Sequence, residues 1–438
     1  MQESRKGSHR EGGVGWAVVF AAFLTQFILY GNLKAGGVLL TNKSKDFETR
    51  LWTVGLIDAM YYGMQFALSP VPVAISDRVG VRPVVVVGGL LSWAGFVLAS
   101  FSGGLLQLTV AMAVIAGAGA ACVKETTFSQ MALYFHERYA LASFVAKSGA
   151  PVGMMVYGPV TQLLMDWYGW RGATMILGAF NFHLTACGFL VGRPVVRCGG
   201  GGFRYQKVTS GVPSSGVDDF DRGCLDGSED GAVCCSQFIS AMGLDVFKDV
   251  RFLFLTAIKL FSEFGFAGIV IYMVPNALSL GLDEYQASFT TTAWGVGNFL
   301  GLSLTAVVMH YRVLSVWIVM GIGTSLAIVC YALDPLISSF VGQIAVTAVI
   351  GASVESLFLV PLIMTRYLTT DDHVVFLYSW QNFISGLSYP VAGLVTGLLF
   401  EGGCNFKAAF FMFSGTMVMT SLCIILYFIY TKKSQNLT

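Results

Sequence analysis

Eight ionisable side chains stand inside otherwise apolar runs of this 438-residue chain: the cations Lys34, Lys124, Lys147 and Lys259, and the acids Asp58, Glu125, Glu263 and Glu355. A charge at the centre of a bilayer costs about 2.5 to 3.5 kcal/mol on insertion scales, so eight facing lipid would cost about 20 to 28 kcal/mol, more than the net stability of a whole fold. Most must face a protected interior. Equal numbers of each sign suggest mutual neutralisation around a central path, which a channel or transporter needs and a purely structural bundle does not.

Lys34 is the first candidate for binding an anion. Tyr30 lies one helical turn earlier on the same face, where its hydroxyl could orient a ligand held by the ammonium. The other reading is a lysine that snorkels to a membrane boundary near Asn42 and Lys43. Lys147 could bind an anion from a second wall or pair with Glu125, and the internal pair is favoured because buried charges find protein partners first. Lys259 and Glu263 are one turn apart and are expected to form a local ion pair. Asp58 and Glu355 have no sequence-local cation. A carboxyl taken out of water without a partner can hold a proton, so these two, with Glu125, are proton-coupling candidates; the alternative is a neutral carboxyl hydrogen-bonded to a neighbouring helix. Asn298, Trp294, Tyr378, Gln381 and Asn382 supply amides and rings that could select a solute, whereas Trp380 is equally suited to packing. His183 is read as packing and His136 as solvated.

The elements that must position these groups are helices. A soluble domain is about a quarter charged, whereas this chain is 12% charged and 55% hydrophobic. Residues 15–40 are long enough to cross a hydrocarbon core about 30 Å thick at 1.5 Å of helical rise per residue. Further spans are expected near 51–75, 83–101, 105–134, 141–164 and 172–191, then 252–278, 287–310, 313–333, 336–362, 376–399 and 408–430. The expectation is an all-α membrane protein of twelve transmembrane helices in two halves of six. Residues 1–14 form a cytosolic N-terminus, 15–191 the first bundle, 192–251 a cytosolic linker, 252–430 the second bundle and 431–438 a cytosolic tail.

Orientation rests on charge. Of the 26 lysines and arginines, four lie within spans, 17 fall on the side of the N-terminus and five on the other, which puts both termini inside. The polar start carries Arg5, Lys6 and Arg10 and precedes a span too long for a cleaved signal, so no removal is expected. The linker, with Gly199 to Gly202 and a run of acids, reads as a flexible tether; it lacks the Lys-Ser/Thr of a phosphate loop. Cys198, Cys224, Cys234 and Cys235 in it are expected as free thiols. Asn42-Lys43-Ser44 fits a glycosylation sequon but sits close to the membrane. No metal-ligand cluster, nucleophile elbow or nucleotide loop is present, so neither an enzyme nor a metal or cofactor is expected. A net charge of +1 gives no footing for nucleic acid.

Several stretches resemble known carriers. Asp77-Arg78-Val79-Gly80-Val81-Arg82-Pro83 resembles the D-R-x-G-x-R signature of the major facilitator superfamily, with Val73 in place of the usual leading glycine. Such a turn can tie helix ends by carboxylate-guanidinium pairs that break when two halves rock, which makes Asp77, Arg78 and Arg82 gating candidates. Glu11-Gly12-Gly13-Val14-Gly15-Trp16 resembles the entry to the first span of monocarboxylate transporters. Tyr134-Phe135-His136-Glu137-Arg138, continuing through Ala142, Ser148-Gly149 and Pro151-Val152-Gly153, is similar to that family's entry to the fifth span and adds Arg138 to the gating group.

The resemblance implies a plasma-membrane carrier of small organic anions working by alternating access, with Lys34 and Tyr30 at positions matching the family's carboxylate-binding lysine and the tyrosine before it. It also implies a single-span immunoglobulin-like glycoprotein as a possible companion. The second half departs from the pattern. Asn298 and Leu302 stand where proton-coupled members resemble one another in carrying an Asp and an Arg. Two readings follow: a carrier of small carboxylates with proton coupling left open, or a carrier of a neutral, zwitterionic or aromatic solute without protons.

Overall fold

The first apolar run folds as one helix, α1 (Gly13–Asp46), which continues past Leu40, where Asn42, Lys43 and Asp46 find partners on neighbouring helices. The computed structural model describes residues 13–135, 138–191, 195–197, 203–205, 247, 249–311, 313–368, 374–403 and 406–435. After α1 come α2 (Leu51–Ala67) and α3 (Pro70–Val79), separated at Leu68-Ser69 ahead of Pro70, which starts α3 where its missing N–H costs nothing. Gly80, at φ 104°, turns the chain into α4 (Val81–Ser100). The next span is composite: α5 (Leu105–Thr109), a π-helical stretch Val110–Ala116, and α6 (Gly117–Tyr134). Then α7 (Tyr139–Leu190) runs through two arms that break at Gly169, whose φ of 67° favours glycine.

The second half holds α8 (Val250–Ser279), α9 (Glu284–His310), α10 (Val316–Leu333), α11 (Phe340–Leu368), α12 (Val374–Gly386), α13 (Ser388–Gly403) and α14 (Lys407–Gln435). Among the described residues ten helical segments are long and apolar enough to cross a membrane. The expected twelve differ from these ten in two places. The region 51–75 is split between α2 and α3, and the regions 141–164 and 172–191 are the two arms of α7.

The bundle holds its membrane-depth charges inside, among a largely apolar core, and turns apolar side chains outward to lipid. Leu106 and Val341 are each 77% exposed, while Lys34 and Lys43 are each 1% exposed. Within each half, helices meet closely through paired glycines. A Cβ on Gly149 or Gly153 of α7 would strike the carbonyl oxygen of Phe23 or Phe27 on α1; one on Gly297 or Gly301 of α9 would strike that of Ala348 or Ala352 on α11. Both are small-xxx-small contacts of the kind that hold helices together in lipid. The two halves meet where α1 packs on α8, α2 on α12 and α13, and α7 on α9.

Between the halves, the stretch read as a wholly flexible tether contains a short antiparallel hairpin, β1 (Val195–Arg197) with β2 (Phe203–Tyr205), in the register Val196 opposite Arg204. The glycine run, the acids and the four linker cysteines lie outside the described residues.

Candidate functional site

A cavity of about 770 Å³, part of it open to solvent, lies between the halves. The first half contributes Gln26 and Tyr30 from α1, Phe66 from α2, Lys124 and Glu125 from α6, and Lys147 from α7. The second contributes Lys259 and Glu263 from α8, Asn298 from α9, Glu355 from α11 and Tyr378 from α12. Three cations and three carboxylates therefore share one chamber, and Phe128, Phe266 and Phe358 supply apolar wall between them. The sequence separation of these residues spans nearly the whole chain, so the chamber exists only once the halves dock.

Most of these charges are already engaged. The Lys124 ammonium stands 3.9 Å from Glu125 and 3.2 Å from the centroid of the Phe66 ring. Asn382 of α12 donates from Nδ2 to both Glu125 oxygens, at 3.2 and 3.3 Å, and its Oδ1 accepts from Lys259. One amide thus links a carboxylate of the first half to an ammonium of the second. Lys259 also lies 4.3 Å from the Tyr378 ring centroid. Glu263 accepts a 2.8 Å hydrogen bond from Tyr389.

Lys147 and Glu355 differ from the rest. Both keep partial exposure, whereas Lys124, Glu125, Lys259 and Glu263 are buried. Lys147 makes no hydrogen bond and no ion pair among the described residues; the carboxylates that act on it through space are Glu355 first and Glu263 second. Glu355 accepts from Asn298 Nδ2 at 2.9 Å, and that amide also donates to the Gly351 carbonyl at 3.3 Å. Asn298 Oδ1 is buried and has no partner.

Several expectations change here. Lys147 does not pair with Glu125, because Lys124 and Asn382 reach that carboxylate first. Lys259 and Glu263 form no direct ion pair among the described residues: one turn of helix puts them on one face, but Asn382 and Tyr389 from other helices supply closer partners. Asp58 does have a cation. Lys43, which falls beyond the first expected span at 15–40, is carried inward by the extension of α1 and stands 3.2 Å from Asp58, both side chains nearly dry. Asn42 of the sequon likewise lies in α1 and donates to Met165 Sδ at 2.7 Å. His183 is not packed inside; its ring is exposed on α7 beside Phe180.

Lys34 lies outside the cavity wall. It is 1% exposed, with its ammonium 4.3 Å from the Trp294 ring centroid and 4.0 Å from Met273 Sδ. Both belong to the second half, so the first half plugs a lysine into the other. Trp294 is fully buried and its Nε1 has no partner. The acid that acts on Lys34 through space is Asp334, at the foot of α10, where Asn276 Nδ2 donates to Oδ1 at 2.8 Å and Oδ2 is unpartnered. The adjoining helix ends hold the halves together. Gln162 donates to Glu284 at 3.1 Å, Tyr285 donates to Asp166, and Thr292 donates to the Met155 carbonyl at 2.9 Å. This end of the interface is closed.

Of the gating candidates, Arg82 donates from Nε to the Val191 carbonyl at 3.2 Å, joining the start of α4 to the end of α7. Arg138 is exposed ahead of α7, and the side chains of Asp77 and Arg78 lie outside the described ones. Sequence reasoning missed Lys43, Asp334 and Tyr389. Asp334 looks like a loop acid before Pro335, and nothing local marks it as buried. Among the described residues no group of His, Cys, Asp and Glu could hold a metal ion.

Comparison with known proteins gives one consistent answer. Residues 16–200 match the model of the Major Facilitator Superfamily. The chain is 31% identical over 288 residues to monocarboxylate transporter 11 of Mus musculus and of Homo sapiens, which covers 66% of this chain. It spans only 58% and 55% of those two relatives. To monocarboxylate transporter 12 of Rattus norvegicus it is 25% identical over 434 residues, 94% of this chain and 85% of that protein.

Proposed function

We propose that the chain, which is similar to monocarboxylate transporters and matches the Major Facilitator Superfamily over residues 16–200, is a secondary carrier of that family that moves a small carboxylate-bearing solute by alternating access of the central cavity. The observation that carries this reading is Lys147, an ammonium in a chamber between the halves with no hydrogen bond or ion pair of its own among the described residues. A lysine in such a place offers a point charge for one carboxylate. Tyr30, half-buried on the same wall, can add its hydroxyl. The relatives are named as transporters, which accords with a carrier and not with an enzyme.

In this reading the halves rock about the cavity, and the closed end marked by Lys34, Trp294 and Asp166 must separate when the solute passes that way. Lys34 then meets a solute only in the opened state, while Lys147 meets it in the closed one. Proton carriage, if any, falls to Glu355. Asp58 is committed to Lys43, and Glu125 to Lys124 and Asn382. Twelve crossings with both termini in the cytosol, at the plasma membrane and with an immunoglobulin-like companion, complete the proposal.

The test is uptake of a panel of labelled carboxylates, pyruvate, lactate and neutral amino acids included, into cells in which surface labelling shows the chain. Saturable uptake of at least one member should fall about tenfold or more in Lys147→Gln, a loss of about 1.4 kcal/mol or more in binding free energy. Undiminished uptake in that variant at equal surface amount would remove Lys147 from the site.

A further inference from the structure

The cavity presents two unequal kinds of charge. Four of its six ionisable groups are joined to one another or to the bundle through Asn382, Phe66 and Tyr389. The remaining two, Lys147 and Glu355, come from opposite halves, keep exposure to the chamber, and act on each other through space. A solute with a carboxylate alone would settle on Lys147 and leave Glu355 as a like charge in the same low-dielectric chamber, where repulsion is only weakly screened. Two chemistries remove that conflict: a proton on Glu355, or a positive group on the solute itself.

The surroundings of Glu355 favour the second. Asn298 turns its NH₂ to Glu355 and to the Gly351 carbonyl, which leaves its Oδ1 buried beside the carboxylate with nothing to accept from. A proton on Glu355 would add one O–H and would not need a second acceptor. An ammonium carries several N–H donors and would use both the carboxylate and the amide oxygen. Phe266 and Phe358, in edge contact at 5.2 Å between centroids, also line the chamber and offer ring surface for a cation or its alkyl substituents.

We propose that the solute is a zwitterion, with its carboxylate on Lys147 of the first half and its ammonium on Glu355 and Asn298 Oδ1 of the second. This rests on the carrier reading above and names the substrate class for the same cavity. A solute held at both ends bridges the two halves. It neutralises each wall with the other's counter-charge, so loading requires no proton from solution.

The experiment compares three labelled probes, leucine, β-alanine and pyruvate, in cells expressing the full chain, at about pH 6 and about pH 8, with surface amount measured for every variant. The expected result is saturable uptake of leucine or β-alanine that changes less than about twofold between the two pH values. In Glu355→Gln that uptake should drop about tenfold or more, while pyruvate becomes a better competitor because the repelling charge is gone. Thermal stabilisation of the detergent-purified protein by the same zwitterion, lost in Glu355→Gln, gives a readout that does not depend on turnover. Pyruvate uptake that rises at the acid pH, with neither zwitterion carried or stabilising, would overturn the inference and leave the carrier intact with a proton on Glu355. No saturable uptake of any probe, and no stabilisation by any, would overturn the inference and the carrier reading together.

Discussion

Lys43 and Lys147 are both lysines of the first half held among membrane-spanning helices, and their surroundings are opposites. Lys43 is 1% exposed and stands 3.2 Å from Asp58, an acid on the next helix of the same half. Lys147 faces a chamber between the halves, with no hydrogen bond or ion pair among the described residues. The first arrangement is complete within one rigid unit, so it can serve stability and nothing that changes during transport. The second is incomplete at the boundary between the halves, so in the proposed carrier its missing counter-charge is available to a solute. The difference lies in which neighbour completes the charge, because burial alone does not separate the two.

The largest expected effect tests the complete pair. Asp58→Asn leaves Lys43 buried without a counter-charge, and breaking a buried pair on one side costs about 3 to 5 kcal/mol. Thermal unfolding of the solubilised protein should therefore shift far down. Replacing both residues with apolar ones of similar size, Lys43→Met with Asp58→Leu, should recover most of the loss. If Asp58→Asn melts with the parent, the pair does not hold the first half together.

Lys147→Gln should show the reverse pattern, with stability within about 0.5 kcal/mol of the parent because no hydrogen bond or ion pair is lost, and transport down about tenfold. A variant that lost stability in step with transport would make Lys147 a structural residue like Lys43 and erase the contrast. Between these limits lies Asn382, which touches both halves. Asn382→Leu strips Glu125 and Lys259 of a shared partner, and an unsatisfied buried group costs about 1 to 3 kcal/mol. Both stability and transport should fall, and Glu125→Gln added to it should restore part of the stability in a double-mutant cycle.

How much of this could be read from the sequence follows from the range of each interaction. The helices were legible because apolar length and glycine punctuation are local: Gly169 falls between the spans expected at 141–164 and 172–191, whereas the break at Pro70 inside the span expected at 51–75 was missed. The chamber was partly legible, since charges in apolar runs must face inward, and six of those eight line it. Their pairing was not. Lys259 and Glu263 satisfy every local rule for an ion pair, yet Asn382 and Tyr389, more than a hundred residues away, take them. Lys43 was misplaced because hydropathy ends at Leu40 although the helix does not. Lys34 was found as buried but assigned to the chamber, since no sequence pattern shows that Trp294 and Met273 would cover it.

The smallest effect comes from a third ion pair, which shows what exposure does to the comparison. Arg171 meets Asp46 at 3.0 Å, with both side chains more than two-fifths exposed, and donates to the Ser102 carbonyl at 2.6 Å and the Ser100 carbonyl at 3.3 Å. It ties the ends of α1 and α4 to the second arm of α7, as Lys43 ties α1 to α2, and its geometry is at least as good. Water solvates both partners, so the charge–charge part should contribute about 1 kcal/mol or less, and salt should screen it. Arg171→Gln is therefore expected to lower the melting temperature slightly, by an amount that shrinks as ionic strength rises, whereas the loss in Asp58→Asn should be nearly independent of salt. If the two variants responded alike to salt, Lys43 and Asp58 would have to be wet in solution, and the division between a sealed pair and an open chamber would no longer stand.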